Sequence, residues 1–177
     1  ESIGMPDTVS KLCYLARRCA KEVNDVDYIL DFASGKCLLV NELSKLKNCH
    51  VIVNDINPIV VMQAQQDFEK FEHMSFMAFD MKRSPFRNKS IHTVTTMLGL
   101  QNIIPCNGII EEINRIADVF INISAYLSEG LLENIEILNK YHMRNVWIKE
   151  QFDIIVEQFS WKSQEICSIM DLAKGIS

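Results

Sequence analysis

The chain has 177 residues, 48% of them hydrophobic and 23% charged, which is the make-up of one soluble globular domain with a sizeable core. A formal net charge of −5 sets up no long-range pull toward nucleic acid or an anionic membrane, and no apolar run approaches the roughly 20 residues of a membrane span. Cys13, Cys19, Cys37, Cys49, Cys106 and Cys167 form no Cys-x-x-Cys pair and do not cluster with the four histidines; with no leader-like segment at the start, free thiols in the cytoplasm and no metal site are expected.

Residues 6–24 place Val9, Leu12, Cys13, Leu15, Ala16, Cys19, Ala20 and Val23 at helical spacing behind Pro6-Asp7-Thr8, so a helix is predicted there. The period then changes. Tyr28-Ile29-Leu30-Asp31-Phe32 is a short apolar run with an acid near its end, followed by small residues, and reads as a buried strand. Leu38, Leu39, Leu43 and Leu46 restore helical spacing, and residues 50–54 form a second strand that stops at Asp55. Asn57-Pro58 opens a helix reaching Asp67 or Phe71, with the proline suited to the first turn. Residues 75–79 read as a third strand ended by Asp80, residues 91–97 as a fourth, 109–117 as a helix, 119–123 as a fifth strand and 129–141 as a helix. Residues 145–149 fit a loop or a short strand. Residues 152–161 and 165–172 read as an antiparallel hairpin closing the sheet.

This alternation predicts an α/β, Rossmann-like, doubly wound sheet of seven mostly parallel strands with a C-terminal antiparallel hairpin and helices on both faces. Ligands in such sheets bind beyond the carboxyl ends of the strands, at the topological switch point. The loop after the first strand, Asp31-Phe32-Ala33-Ser34-Gly35-Lys36-Cys37, brings small residues to a helix N-terminus. An acid at that strand's end repels phosphate and suits a ligand of mixed charge.

The segment resembles the glycine-rich motif of the class I S-adenosylmethionine-dependent methyltransferases, which runs acid, any, Gly, any, Gly, any, Gly. Asp31 matches the acid and Gly35 the central glycine, while Ala33 and Cys37 stand where the family prefers glycine. Close approach of a ligand survives that departure if the torsions there need not be positive. Asp55 follows Gly35 by twenty residues, the spacing of a ribose-binding carboxylate in α/β nucleotide folds. Alternatively it caps the next helix. Asn54-Asp55-Ile56-Asn57-Pro58 resembles the family's acidic loop, which implies that Ile56 packs on the adenine. Asp80 stands where the family carries an acid for the adenine amino group, with Met81 over the ring edge and a Pro-Phe pair, Pro85-Phe86, beyond. Residues 97–102, from Met97, resemble the loop at the methionine end of the cofactor.

The resemblance therefore implies S-adenosyl-L-methionine as cofactor and S-adenosyl-L-homocysteine as product, held by Asp31, Ala33, Ser34, Gly35, Cys37, Asp55, Ile56, Asp80, Met81 and Met97. It divides a single domain, 1–177, into an N-terminal helix (1–25), a cofactor-binding core (28–123) and a C-terminal helix and hairpin (124–177). No Asp/Asn-Pro-Pro-aromatic motif ends the fourth strand, and Cys106, although it follows Pro105, precedes Asn107-Gly108 in a loop. Amino-group methylation of adenine or glutamine and cytosine-C5 chemistry are thus disfavoured. A small-molecule acceptor is expected, and no catalytic side chain is assigned. Tyr14, His92, Gln101 and Tyr126 are candidates for the acceptor pocket, and limited lid material suggests a partner subunit or a homo-oligomer. His92 replaces an acid usual in the family. With Ala33 and Cys37 it motivates an alternative, an inactive methyltransferase-like binding or scaffold domain. A nicotinamide oxidoreductase is disfavoured by Asp31.

Overall fold

The computed structural model describes residues 5–23, 28–46, 48–103, 107–124, 153–155 and 157–158. In chain order they form α1 (Met5–Glu22), β1 (Tyr28–Phe32), α2 (Leu38–Leu43), β2 (His50–Asp55), α3 (Pro58–Asp67), β3 (Met74–Ala78), β4 (Ile91–Met97), α4 (Asn107–Ile116) and β5 (Ala117–Ile123). Met81–Arg83 and Leu100–Asn102 are single 3₁₀ turns. Helix α1 starts at Met5, so Pro6-Asp7-Thr8 lie within its first turn rather than ahead of it.

The five strands form one sheet in the order β3-β2-β1-β4-β5, and every neighbouring pair is parallel. Side chains alternate across this sheet, so the apolar runs feed two cores. Ile29, Val51 and Val53 pack with Ala16, Cys19 and Ala20 of α1, Leu39, Val40 and Leu43 of α2, and Ala64 and Phe68. Leu30, Phe32 and Ile52 pack on the opposite face with Ile109, Ile110, Ile113 and Ile116 of α4. Those four isoleucines recur at helical spacing and are essentially fully buried, which fixes how α4 rolls against the sheet.

The parallel α/β core of the expectation is present with five strands. The proposed hairpin fares differently: residues 153–155 and 157 are helical, and the Gln158 N–H donates to the Ile154 carbonyl at 3.3 Å, an i to i−4 bond. A short apolar run does not declare its period, and Phe152, Ile155, Val156 and Phe159 fit helical spacing as well as a buried strand. Ile155 packs against the α4-side core. The other hairpin arm, residues 165–172, the helix expected over 129–141, and residues 145–149 lie outside the described residues. No helix among the described residues is long and apolar enough to cross a membrane.

Candidate functional site

The chain order reverses between β1 and β4: β2 and β3 extend the sheet on one side of β1, and β4 and β5 on the other. Beyond the carboxyl ends of these strands lies a cleft of about 810 Å³. Pockets that bury drug-sized ligands span roughly 300–1,000 Å³.

Strand β1 delivers Asp31 to this cleft, with the residue 1% exposed and its Oδ1 accepting a 2.7 Å hydrogen bond from the Thr95 hydroxyl of β4. Burial pushes the carboxyl up from 3.8 to about 7, against the pull of that hydroxyl and with help from the charge on Asp55. Burial, then the charge on Asp31, likewise pushes the thiols of Cys19 and Cys37 up to about 12, which leaves them protonated and inert.

The loop after β1 takes positive φ at alternate residues: Ala33 at 51°, Gly35 at 49° and Cys37 at 57°. The torsions at the two non-glycine positions are therefore positive, contrary to the condition under which the departure would be free. Each carries left-handed strain of about 1–2 kcal/mol. The loop is held by Ser34, whose N–H and hydroxyl both donate to the Asn54 carbonyl at 3.0 Å, and whose hydroxyl also reaches the Asp31 carbonyl. Cys37 stands before α2 without capping it, donates its thiol hydrogen to the Gly35 carbonyl, and packs into the α1-side core rather than bordering the cleft.

At the end of β2 the geometry chooses between two roles for Asp55. Asn57 is the helix cap, its Oδ1 accepting from the Ile59 N–H at 3.0 Å, so Asp55 is not needed there. Instead Asp55 Oδ2 accepts from the Gly35 N–H at 3.2 Å and Oδ1 from the Asn57 N–H at 2.9 Å, tying the acidic loop to the glycine loop. Ile56 beside it is 70% exposed, an apolar surface left open at the rim. Asn54, 1% exposed, donates from its amide to the carbonyls of Met77 and Phe79, both at 3.1 Å. It fastens the β3 end to the β2 end.

After β3, Asp80 Oδ1 accepts from the Lys82 N–H at 2.9 Å and starts the turn that buries Met81. The following loop is braced from α4. Glu112 Oε1 accepts from the N–H of Ser84 (2.9 Å), its hydroxyl (2.7 Å) and the Arg115 guanidinium (2.6 Å), which also donates to the Phe86 carbonyl. These bonds hold the Glu112 carboxyl below its usual 4.5, the Arg115 bond most of all.

Beyond β4 the chain passes through Leu98 at φ 61°, and its N–H donates to the Ile123 carbonyl at 2.7 Å. Gly99 has an ordinary φ of −68° but no room for a side chain. A Cβ there would collide with the Thr96 hydroxyl and lie 2.7 Å from the Ala33 Cβ, so this glycine lets the β4 loop close on the β1 loop.

Nine of the ten residues assigned to the cofactor border the one cleft: Asp31, Ala33, Ser34, Gly35, Asp55, Ile56, Asp80, Met81 and Met97. Cys37 is the exception. Of the acceptor-pocket candidates, His92 is exposed near the amino end of β4, away from the cleft, with its ring bonded to the Thr93 hydroxyl. Tyr14 is 46% exposed on α1 and does not border the cleft, whereas Leu12 of the same helix does. Tyr126 lies outside the described residues. Asn54, Thr95, Leu98 and Lys82 had no assigned role from sequence. The polar residues at 54, 95 and 96, near the carboxyl ends of their strands, were the available signal, because a buried polar side chain must have a partner.

A methyltransferase-domain family model matches residues 29–119, more than half of the chain. The chain belongs to the methyltransferase-domain family. No curated protein matches it by sequence. Among solved structures, the YcgJ protein of Bacillus subtilis is 16% identical with a TM-score of 0.75 over 89% of this chain and 71% of its own. A Haloferax volcanii protein in complex with the Trm112 methyltransferase activator is 20% identical, with a TM-score of 0.74 over 92% of this chain and 73% of its own. A SAM-dependent methyltransferase from Aquifex aeolicus is 14% identical, with a TM-score of 0.67 over 89% and 90%. At these identities the likeness is one of fold, and that fold is the class I, Rossmann-like α/β arrangement.

Proposed function

We propose that the protein is an S-adenosylmethionine-dependent methyltransferase with a small-molecule acceptor. The observation that carries this reading is the convergence of Asp31, Asp55 and Asp80, each from the end or following loop of a different strand, on one cleft. The donor set suits an adenosyl sulfonium. Asp31 is a buried carboxyl whose ionised form needs a nearby positive charge. Each oxygen of Asp55 already accepts one backbone N–H, which orients the carboxylate and leaves further lone pairs for a pair of vicinal hydroxyls. Asp80 has Oδ1 fixed by the Lys82 N–H and Oδ2 available to an amino group, while Ile56, Phe79 and Met81 supply apolar surface for a flat ring. The left-handed torsions at Ala33, Gly35 and Cys37 keep the loop in a glycine-like shape despite the substitutions, which supports a working cofactor site over a scaffold.

When bound, the cofactor supplies an electrophilic methyl group and leaves as S-adenosylhomocysteine. The chain's own task is to place an acceptor in line with that methyl and to exclude water. No side chain is needed as a base if the acceptor reaches the site as its own nucleophile. The presence of a Trm112 activator beside the Haloferax relative supports a partner subunit that completes the acceptor side here. Thiols at Cys13, Cys19 and Cys37, none in a disulfide, fit the cytoplasm, where they stay reduced.

Calorimetry with S-adenosylmethionine and S-adenosylhomocysteine tests the proposal: both should bind, and Asp55→Ala should weaken both. No heat at millimolar ligand would remove it. Binding without turnover over a broad acceptor panel, with candidate partners added, would favour the scaffold alternative.

A further inference from the structure

With the acids, the glycine loop, Ile56, Phe79, Met81 and Met97 given to the cofactor, the remaining wall of the cleft includes Leu12 of α1, Leu38 and Leu39 of α2, Ile109 of α4, and Leu98, Asn102 and Ile103 after β4. None of these residues is charged. The two cations that border the cleft, Lys36 and Lys82, sit beside Gly35 and Asp80 in the chain, on the cofactor side. A cleft of about 810 Å³ stands near the top of the range for drug-sized ligands, so a second molecule fits beside an adenosyl group.

Leu98 is the unusual member of this wall. It holds φ 61°, a conformation that glycine, and to a lesser degree asparagine, adopts with little strain and leucine does not. Two restraints keep it there. Its N–H is fastened to the Ile123 carbonyl, and the next residue, Gly99, is wedged between the Thr96 hydroxyl and the Ala33 Cβ. A turn of this shape is open to glycine at no strain, so what the position gains from leucine is the side chain. Strain held in place at a cleft wall marks a functional role.

We infer that Leu98 is a specificity-determining residue and that the methyl acceptor is an uncharged molecule with an apolar body. It is shaped by Leu98, Leu12 and Ile103 and oriented through its one polar group by the Asn102 amide. This rests on the methyltransferase reading. The same wall would reject an anionic or zwitterionic acceptor, whose charge would be desolvated there without a partner.

The test uses the full chain saturated with S-adenosylhomocysteine and an uncharged fluorescent probe, N-phenyl-1-naphthylamine, with phosphoethanolamine as the charged competitor. Failure to bind S-adenosylhomocysteine at the outset would overturn the methyltransferase reading itself. Given that binding, the probe should bind saturably and phosphoethanolamine should not displace it. Leu98→Gly and Leu98→Asn both suit the backbone, so each should fold with a higher Tm. Each should lose roughly tenfold in probe affinity, the worth of one large aliphatic contact, and at least fivefold less in affinity for S-adenosylhomocysteine. Absence of probe binding, wild-type probe affinity in both variants, or displacement by phosphoethanolamine would overturn the inference.

Discussion

Replacing Asp31 by Asn should stabilise the ligand-free protein and weaken its grip on the cofactor, with both effects depending on pH. The carboxyl is 1% exposed, and burial raises it from 3.8 to about 7. An acid whose folded value is raised contributes stability that is fully present below its unfolded value and is lost as pH rises through its folded value. The displacement from 3.8 to about 7 corresponds to about 4 kcal/mol, lost between pH 4 and pH 7. Asn has nearly the same shape, is neutral throughout, and keeps an oxygen for the Thr95 hydroxyl. The variant should therefore match the wild type near pH 5 to within about 2 kcal/mol and exceed it by up to about 4 kcal/mol at pH 8. For a chain of this size that gain is on the order of 10 °C in Tm. Urea denaturation of both proteins from pH 5 to pH 8.5 measures the gap, and common effects of pH on other groups cancel in the difference. Cofactor affinity should move the opposite way. A positive ligand lowers the Asp31 pKa on binding, so wild-type affinity should climb as pH approaches 7 and level off above, while the variant's should be lower and flat. A stability gap that stays constant across the range would refute the assignment of a raised pKa to Asp31.

The other predictions concern geometry and the loops. Gly35→Ala and Gly99→Ala separate torsional from steric cost: the first adds strain of about 1–2 kcal/mol in open space, its nearest contact being 3.9 Å, while the second overpacks the β1–β4 junction and should cost up to about 3 kcal/mol in urea denaturation. Asp55→Asn should reduce S-adenosylhomocysteine affinity at least tenfold, since hydrogen bonds to a charged group are worth about 1.5–3 kcal/mol. The same variant should bind the 2′-deoxy analogue no worse than the parent ligand, and a variant that loses stability but keeps wild-type affinity would contradict the ribose role. Glu112→Ala should destabilise by about 2 kcal/mol at pH 7 by freeing Ser84 and Arg115. Because the Glu112 carboxyl is held below 4.5, that cost is present above pH 4.5 and should shrink as pH falls through the lowered value, which pH-dependent denaturation would show.

Much of the site was legible in the chain because the fold places it by rule. In a parallel sheet ligand contacts follow the strands, so the acids at 31, 55 and 80 stand out as charges interrupting or ending apolar runs. β1 and β4 fell on their expected residues, Tyr28–Phe32 running into the small residues Ala33 and Ser34 and Ile91–Met97 following the polar Asn88-Lys89-Ser90. The region around 152–161 misled because its apolar residues satisfy both periods, and the i to i−4 bond from Gln158 to Ile154 distinguishes them. His92 looked informative as a departure from a motif, yet it sits near the amino end of its strand, away from the cleft.

Sequence alone determined the order of strands and helices from α1 to β5 and which acids follow the first three strands toward one rim, since these follow from local periodicity and from the handedness of parallel crossovers. Tertiary structure decided that Asp31 is buried against Thr95, that Asp55 serves the glycine loop while Asn57 caps α3, that Ala33 and Cys37 hold left-handed torsions, and that Gly99 is squeezed between two strand ends. The Asp31–Thr95, Asp55–Gly35 and Gly99 contacts depend on groups from separate strand ends meeting within a few ångströms, and distances of that kind are set by how the strands assemble, to which no local pattern of residues responds.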